Sequence, residues 1–311
     1  VARQENVIKA YELELKLAKD KVCFASPGCI SIRNIGIVVG TAAAGAGVYI
    51  VAKAVLADDS LAGDEIPMPC EDALRGARLS ELAYKLKGSS NKDSAVAPYS
   101  ASLPPDRFTP NDIEVYDPAG GGYAFVWKEK TNDTCHVAFK GTSTQEDILV
   151  DLKSLELESC KTKGGKAIGN CGLGFINRLK DIRGKGVAGY TSLGEHVNQA
   201  CDTVYIYGHS LGGALASLFA IEMTLDYPSK FGNKVSLQVF TYGEPKGVEE
   251  NKAKTYHESI KKYRFLNKAD PVVYAPCVPG TVLCTLDRIT GWITPKRSWG
   301  HWGQTMAMDK G

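Results

Sequence analysis

The chain has 311 residues, 44% of them hydrophobic and 23% charged, with 37 basic side chains against 35 acidic ones and a formal net charge of +2. That balance excludes a disordered tail, a collagen-like fibre and a low-complexity scaffold. No basic cluster marks a nucleic-acid binder, no Cys/His group has zinc-ligand spacing, and no phosphate-binding glycine loop follows a strand.

Within residues 1–34, QENVIKAYELELKLAKDK reads as an amphipathic helix with Val7, Tyr11 and Leu15 on one stripe. A Ser-Pro-Gly turn between Cys23 and Cys29 closes it. The Val start fits a targeting segment that once preceded it. Residues 35–57, IGIVVGTAAAGAGVYIVAKAVLA, carry one charge, Lys53. As a helix this stretch would reach about 30–35 Å, enough to cross a hydrocarbon core, and it reads as a transmembrane helix. Gly36, Gly40, Ala44 and Val48 form a row of small residues that admits another transmembrane helix closely. Two other readings stay open: a buried Ala/Gly helix, and a signal sequence with Val55 and Ala57 before the cleavage point at Asp58. Residues 1–34 hold six basic and four acidic side chains, whereas residues 58–72 hold six acidic ones and no base. Basic flanks stay on the side of synthesis, so the rest of the chain is expected on the extracytoplasmic or luminal side, in a plastid thylakoid or the secretory pathway.

An acidic linker, 58–70, leads to a globular domain, 71–311. EDALRGARLSELAYKLKG reads as an amphipathic helix with Leu79, Leu82, Ala83 and Leu86 on one face. Residues 89–111 read as a loop. Strand-like runs cover 123–128, 135–139, 203–207, 235–242 and 263–266, and helical ones 211–225 and 249–262. Strands alternating with helices predict an α/β domain with a largely parallel sheet.

The strongest chemical signal is YIYGHSLGGALASLFA. A strand stops, Gly208-His209-Ser210-Leu211-Gly212 follows, and a helix starts: G-x-S-x-G in the context it requires. The corner is so sharp that side chains two positions either side of Ser210 would collide, so both places are Gly. Ser210 is the expected nucleophile. Of five histidines, only His301 follows both the elbow and the candidate acid, Asp270 in NKADPVVYAP. Asp270 would hold the His301 tautomer and stabilise its imidazolium. The backbone N–H groups of Thr142, in FKGTS, and Leu211 are the candidate oxyanion donors. Neither a metal nor an organic cofactor is needed. Among nine cysteines, Cys160/Cys171 and Cys277/Cys284 suit local disulfides in an oxidising lumen, while Cys135 and Cys201, beside core strands, read as free and buried.

FKGTSTQEDILVDL, GLGF, YGHSLGGALASL, FTYGEPKG and NKADPVVYAP occur in the order and at the spacing of the class 3 lipases, and residues 71–305 resemble that family of α/β-hydrolases. The resemblance implies a Ser210–Asp270–His301 triad, an oxyanion role for Thr142, and a lid over 144–153 with an apolar stripe of Ile148, Leu149, Leu152 and Leu155. The chain departs from the family at Lys140 and Lys246, where Arg is usual, at Ile148 for Trp and at Gly172 for His. The stretch from Asp270 to His301 is also shorter than in fungal lipases.

These features together describe a membrane-anchored serine carboxylic-ester hydrolase releasing fatty acids from acyl lipids, its partners being the acyl-lipid substrate, the bilayer and other transmembrane helices. Triacylglycerol, phospholipid, galactolipid and lysolipid esters all satisfy it. A second reading is a lipase-like structural subunit of a membrane complex. A third is a soluble secreted lipase that retains its signal.

Overall fold

The computed structural model describes residues 34–41, 48–55, 70–99, 107–119, 122–142, 157–232, 234–267, 270–275 and 299–308. Apart from Asn34 and Cys70, the expected N-terminal helix and acidic linker lie outside these residues, as do the lid over 144–153 and the Cys277/Cys284 pair.

The expected transmembrane helix over 35–57 is corrected by the structure. Strands β1 (Asn34–Thr41) and β2 (Val48–Val55) pair antiparallel from Asn34↔Val55 to Thr41↔Val48. Among the described residues no helix is long and apolar enough to cross a membrane. Both ends of the stretch are rich in Ile and Val, which favour pleated backbone, and each Gly inside a helix costs about 1 kcal/mol relative to Ala. An apolar run alone does not separate the two states. β1 lies beside the last two strands of the main sheet, and β2 beside the first helix.

That helix, α1 (Cys70–Lys87), precedes a short α2 (Lys92–Val96) inside the stretch expected to be a loop. The chain continues through β3 (Ile113–Tyr116), β4 (Ala124–Lys128), β5 (Thr134–Phe139), β6 (Leu157–Lys161), β7 (Ala167–Gly172), α3 (Leu173–Gly184) and α4 (Leu193–Ala200). It ends in β8 (Thr203–His209), α5 (Leu211–Asp226), α6 (Pro228–Phe231), β9 (Leu237–Tyr242), β10 (Val248–Glu249), α7 (Glu250–Ser259), β11 (Lys261–Asn267), β12 (Trp299–Gly300) and β13 (Gln304–Met308).

Seven strands form the main sheet in the order β13-β11-β9-β8-β5-β4-β3; the first five are parallel, and β4 and β3 are antiparallel. The expected mixed α/β sheet is therefore present. Period-2 alternation sends Val204 and Ile206 to one face and Tyr205 and Tyr207 to the other. The first face packs on Phe175, Leu179 and α5; the second packs on Leu79, Leu82 and Leu86 of α1. Every residue of α5 from Leu211 to Met223 is buried, which suits a helix apolar on all sides.

A smaller sheet, β12-β10-β7-β6, flanks the first. Cys160–Cys171 ties β6 to β7, as spacing suggested. Cys135 and Cys201, expected to be free, instead form a disulfide with Cα atoms 5.6 Å apart. Cys201 lies 66 residues from Cys135 in sequence, but the parallel β5–β8 register sets Cys135 opposite Val204 and so brings the two together.

Candidate active site

The elbow follows from sterics. A Cβ on Gly208 would lie 2.0 Å from the Gly212 carbonyl oxygen, and one on Gly212 would lie 2.3 Å from that of Phe139. Only glycine allows β8, α5 and β5 to converge there. Ser210 at the corner has φ 56° and ψ −128°, a strained conformation for a non-glycine residue. It is held by its N–H donating to Tyr242 O at 2.8 Å and its carbonyl accepting from Gly213 N–H at 2.9 Å. Its Oγ is buried and makes no hydrogen bond among the described residues. A buried hydroxyl without a partner is expensive for stability alone, so a role outside folding is implied.

Leu211 is the first residue of α5, where amides lack helix carbonyls and the dipole favours negative charge. Phe139 of β5 is in register with Gly208, so Gly141 and Thr142 emerge beside the elbow. A Cβ on Gly141 would be 2.5 Å from the His209 carbonyl oxygen. Thr142 and Leu211 thus stand on either side of the corner.

Sequence reasoning missed Tyr84. From α1 its hydroxyl hydrogen-bonds His209 Nδ1 at 2.9 Å and packs against Gly141, where an added Cβ would lie 2.3 Å from it. It therefore joins the elbow to the loop bearing Thr142. Burial lowers the pKa of His209 to about 4, keeping it neutral, and raises that of Tyr84. The helical stripe was legible, but a tyrosine on it has no local mark of such a contact.

Asp270 follows β11 at the same carboxyl end of the sheet. Its Oδ1 accepts from Val272 N–H at 2.9 Å, which starts a 3-10 turn over Pro271–Tyr274. Its Oδ2 lies 3.1 Å from the place a Cβ would take on Gly243, in the turn after β9. Burial raises its pKa. Ligands of open α/β sheets bind at this end of the strands, and Ser210, Leu211, Thr142 and Asp270 all gather here.

His301 comes from the C-terminal segment. It lies between β12 and β13, three residues before the start of a strand parallel to β11. Its Nε2 is 2.7 Å from Val273 O, in the turn following Asp270. The Ser210–His301 hydrogen bond is therefore not formed here. Burial and then the positive Arg264 lower the His301 pKa to about 3, while Glu244 pulls it up. The other early histidines belong to the core: His136 bonds Tyr207 OH and Glu129, and His196 bonds Tyr116 OH.

Residues 136–279 match the family model for lipase (class 3). Over those residues, a little under half of its length, the chain is similar to the class 3 lipases. It is accordingly a serine carboxylic-ester hydrolase. Its fold is similar to the M37 lipase at TM-score 0.55 and 14% identity, covering 78% of this chain and 86% of that one. It is also similar to a triacylglycerol lipase from Penicillium expansum at TM-score 0.50 and 20% identity, covering 75% of this chain and 77% of that one. A search of curated proteins returned no match. The class 3 lipase match includes Thr142, the elbow and Asp270, and stops before His301.

Proposed function

We propose that this class 3 lipase cleaves acyl-lipid esters with Ser210, His301 and Asp270 as its triad. Ser210 Oγ attacks the ester carbonyl while His301 takes its proton. The N–H groups of Thr142 and Leu211 hold the oxyanion, the donor arrangement worth roughly 3–4 kcal/mol per group in the transition state. The tetrahedral intermediate collapses, and His301 gives the proton to the departing alcohol. Water, activated by the same imidazole, then releases the fatty acid. Asp270 holds the imidazole in its working tautomer. In this reading His301 exchanges the Val273 carbonyl for Ser210 when substrate is bound.

The observation that carries the reading is the buried Ser210 Oγ, without a hydrogen bond, on a strained corner at the start of α5. The Penicillium expansum neighbour is a triacylglycerol lipase, which makes triacylglycerol the first ester to test. Hydrolysis of short- and long-chain triacylglycerol emulsions by the full chain should fall about 10⁴-fold or more in Ser210→Ala. No hydrolysis by the unsubstituted chain at a lipid surface would favour the structural-subunit reading.

We further infer that the domain works at a membrane surface on an oxidising, extracytoplasmic or luminal side. Support comes from residues 35–57, whose one charge is Lys53, and from two disulfides, which persist in oxidising compartments. The full chain should float with phosphatidylcholine vesicles, and Val38→Lys/Val51→Lys should not. Equal flotation of both removes residues 35–57 as the anchor.

A further inference from the structure

Beneath α5 lies a buried charge cluster that the proposed chemistry does not use. Glu244 follows the turn after β9 and is 4% exposed. Its Oε1 accepts from Ser217 Oγ on α5 at 2.6 Å and from Lys262 Nζ on β11 at 2.8 Å. Its Oε2 accepts from Thr241 Oγ1 at 2.6 Å and lies 3.6 Å from Arg264 Nε. The two cations then reach the C-terminal segment. Arg264 Nη1 donates to Thr305 Oγ1 at 2.9 Å, and Lys262 Nζ stands 4.0 Å from the centre of the Trp302 ring. Residues on both sides of Gly303 are thus held by the two partners of one carboxylate.

Stability alone does not account for this arrangement. Burying a carboxylate with two cations costs several kcal/mol per ion in desolvation, and apolar side chains of the same volume often serve as well. The cluster differs from apolar packing in fixing direction. Three hydrogen bonds, from Ser217 on α5, Thr241 on β9 and Lys262 on β11, converge on Glu244 with the Arg264 cation beside it, and the two cations hold the stretch that begins immediately after His301. The charged side chains acting most strongly on His301 are Arg264, Glu244 and Lys262, from β11 and the turn after β9.

We propose that Glu244 is the positioning residue for His301: through Lys262 and Arg264 it clasps Trp302–Thr305 and so sets where the imidazole is delivered. Ser217 ties the same carboxylate to the helix that carries Ser210, so nucleophile and base are referenced to one buried anchor. The inference rests on His301 being the base.

The test uses the full chain and a soluble short-chain ester. Glu244→Gln keeps the size and most hydrogen bonds but removes the charge. It should lower kcat about tenfold with KM nearly unchanged, because a small misplacement of a catalytic group is felt in the chemical step. It should also move the acid limb of the kcat/KM profile to lower pH, since the imidazole then faces Lys262 and Arg264 without a compensating carboxylate and protonates less readily. Loss of packing alone would not shift that limb. In a His301→Ala background Glu244→Gln should cost nothing further. Thr305→Val, a milder change at the far end of the clasp, should lower kcat about threefold with the fold intact by near-UV circular dichroism. An inactive His301→Ala beside a Glu244→Gln or Thr305→Val chain with normal kcat and pH profile overturns this inference alone. Losses in Glu244→Gln and His301→Ala that multiply overturn it too. A fully active His301→Ala overturns the base assignment and this inference with it.

Discussion

Ser210 keeps a positive φ because its neighbours allow nothing else: Tyr242 O holds its N–H, and Gly212 is pressed on β5. Such strain persists only where the surroundings over-determine it. Tyr84 belongs to those surroundings, since its hydroxyl bonds His209 and packs against Gly141. Tyr84→Phe leaves His209 Nδ1 without that partner and removes the hydroxyl packed on Gly141. It should cost about 1–3 kcal/mol of stability by urea unfolding and lower kcat about tenfold, with KM little changed, as the Thr142 amide drifts from the oxyanion. Normal kcat in a measurably destabilised Tyr84→Phe would leave Tyr84 a packing residue only.

At the level of elements, β5 and β8 do two jobs. Their parallel register sets Thr142 beside Ser210 at one end and Cys135 beside Cys201 at the other. The disulfide closes a long loop that includes β6, β7, α3 and α4. Cross-linking such a loop restricts the unfolded chain, so Cys135→Ala/Cys201→Ala should lose about 2–4 kcal/mol by denaturant titration while kcat changes little. An unchanged midpoint would show the pair contributes nothing to stability. The Cys160–Cys171 link joins cysteines only 11 positions apart and has a smaller entropic reach. A second clasp adds to it: Asp226 at the end of α5 accepts from Thr162 Oγ1 at 2.6 Å and from Gly164 N–H at 2.9 Å, fastening the β6–β7 turn to α5.

Across the molecule, the two sheet faces bury histidines as neutral groups. Desolvation lowers the pKa of His196 and His209 from 6.5 to about 4. Each binds protons more weakly folded than unfolded. The stability each contributes is therefore full above pH 6.5 and lost as pH falls toward 4. Asp72 and Glu81, whose burial raises their pKa, act in the opposite direction over the acid range. The sum is mixed, so the individual rings are the cleaner observable. Imidazole C–H resonances of His196 and His209 should stay at their neutral positions down to about pH 4, while an ordinary titration near 6.5 would contradict their burial.

What could be read directly was whatever short-range geometry imposes. The G-x-S-x-G corner needs glycines at fixed offsets, and the stripe of α1 needs leucines at helical spacing, so both were visible in the chain itself. The alternation of strands and helices followed from periodicity in the same way. Longer-range choices were not visible. An Ile/Val-rich run is apolar as helix or strand, and its pairing partner decided for the β1–β2 hairpin. Cys135 found Cys201 through sheet register, and Tyr84 found His209 through packing of α1. Glu244 met Lys262 and Arg264 because β9 and β11 are neighbours. His301 took the Val273 carbonyl for a like reason: the last strand joined the sheet beside β11, a tertiary choice that no local pattern around SWGHWGQ encodes.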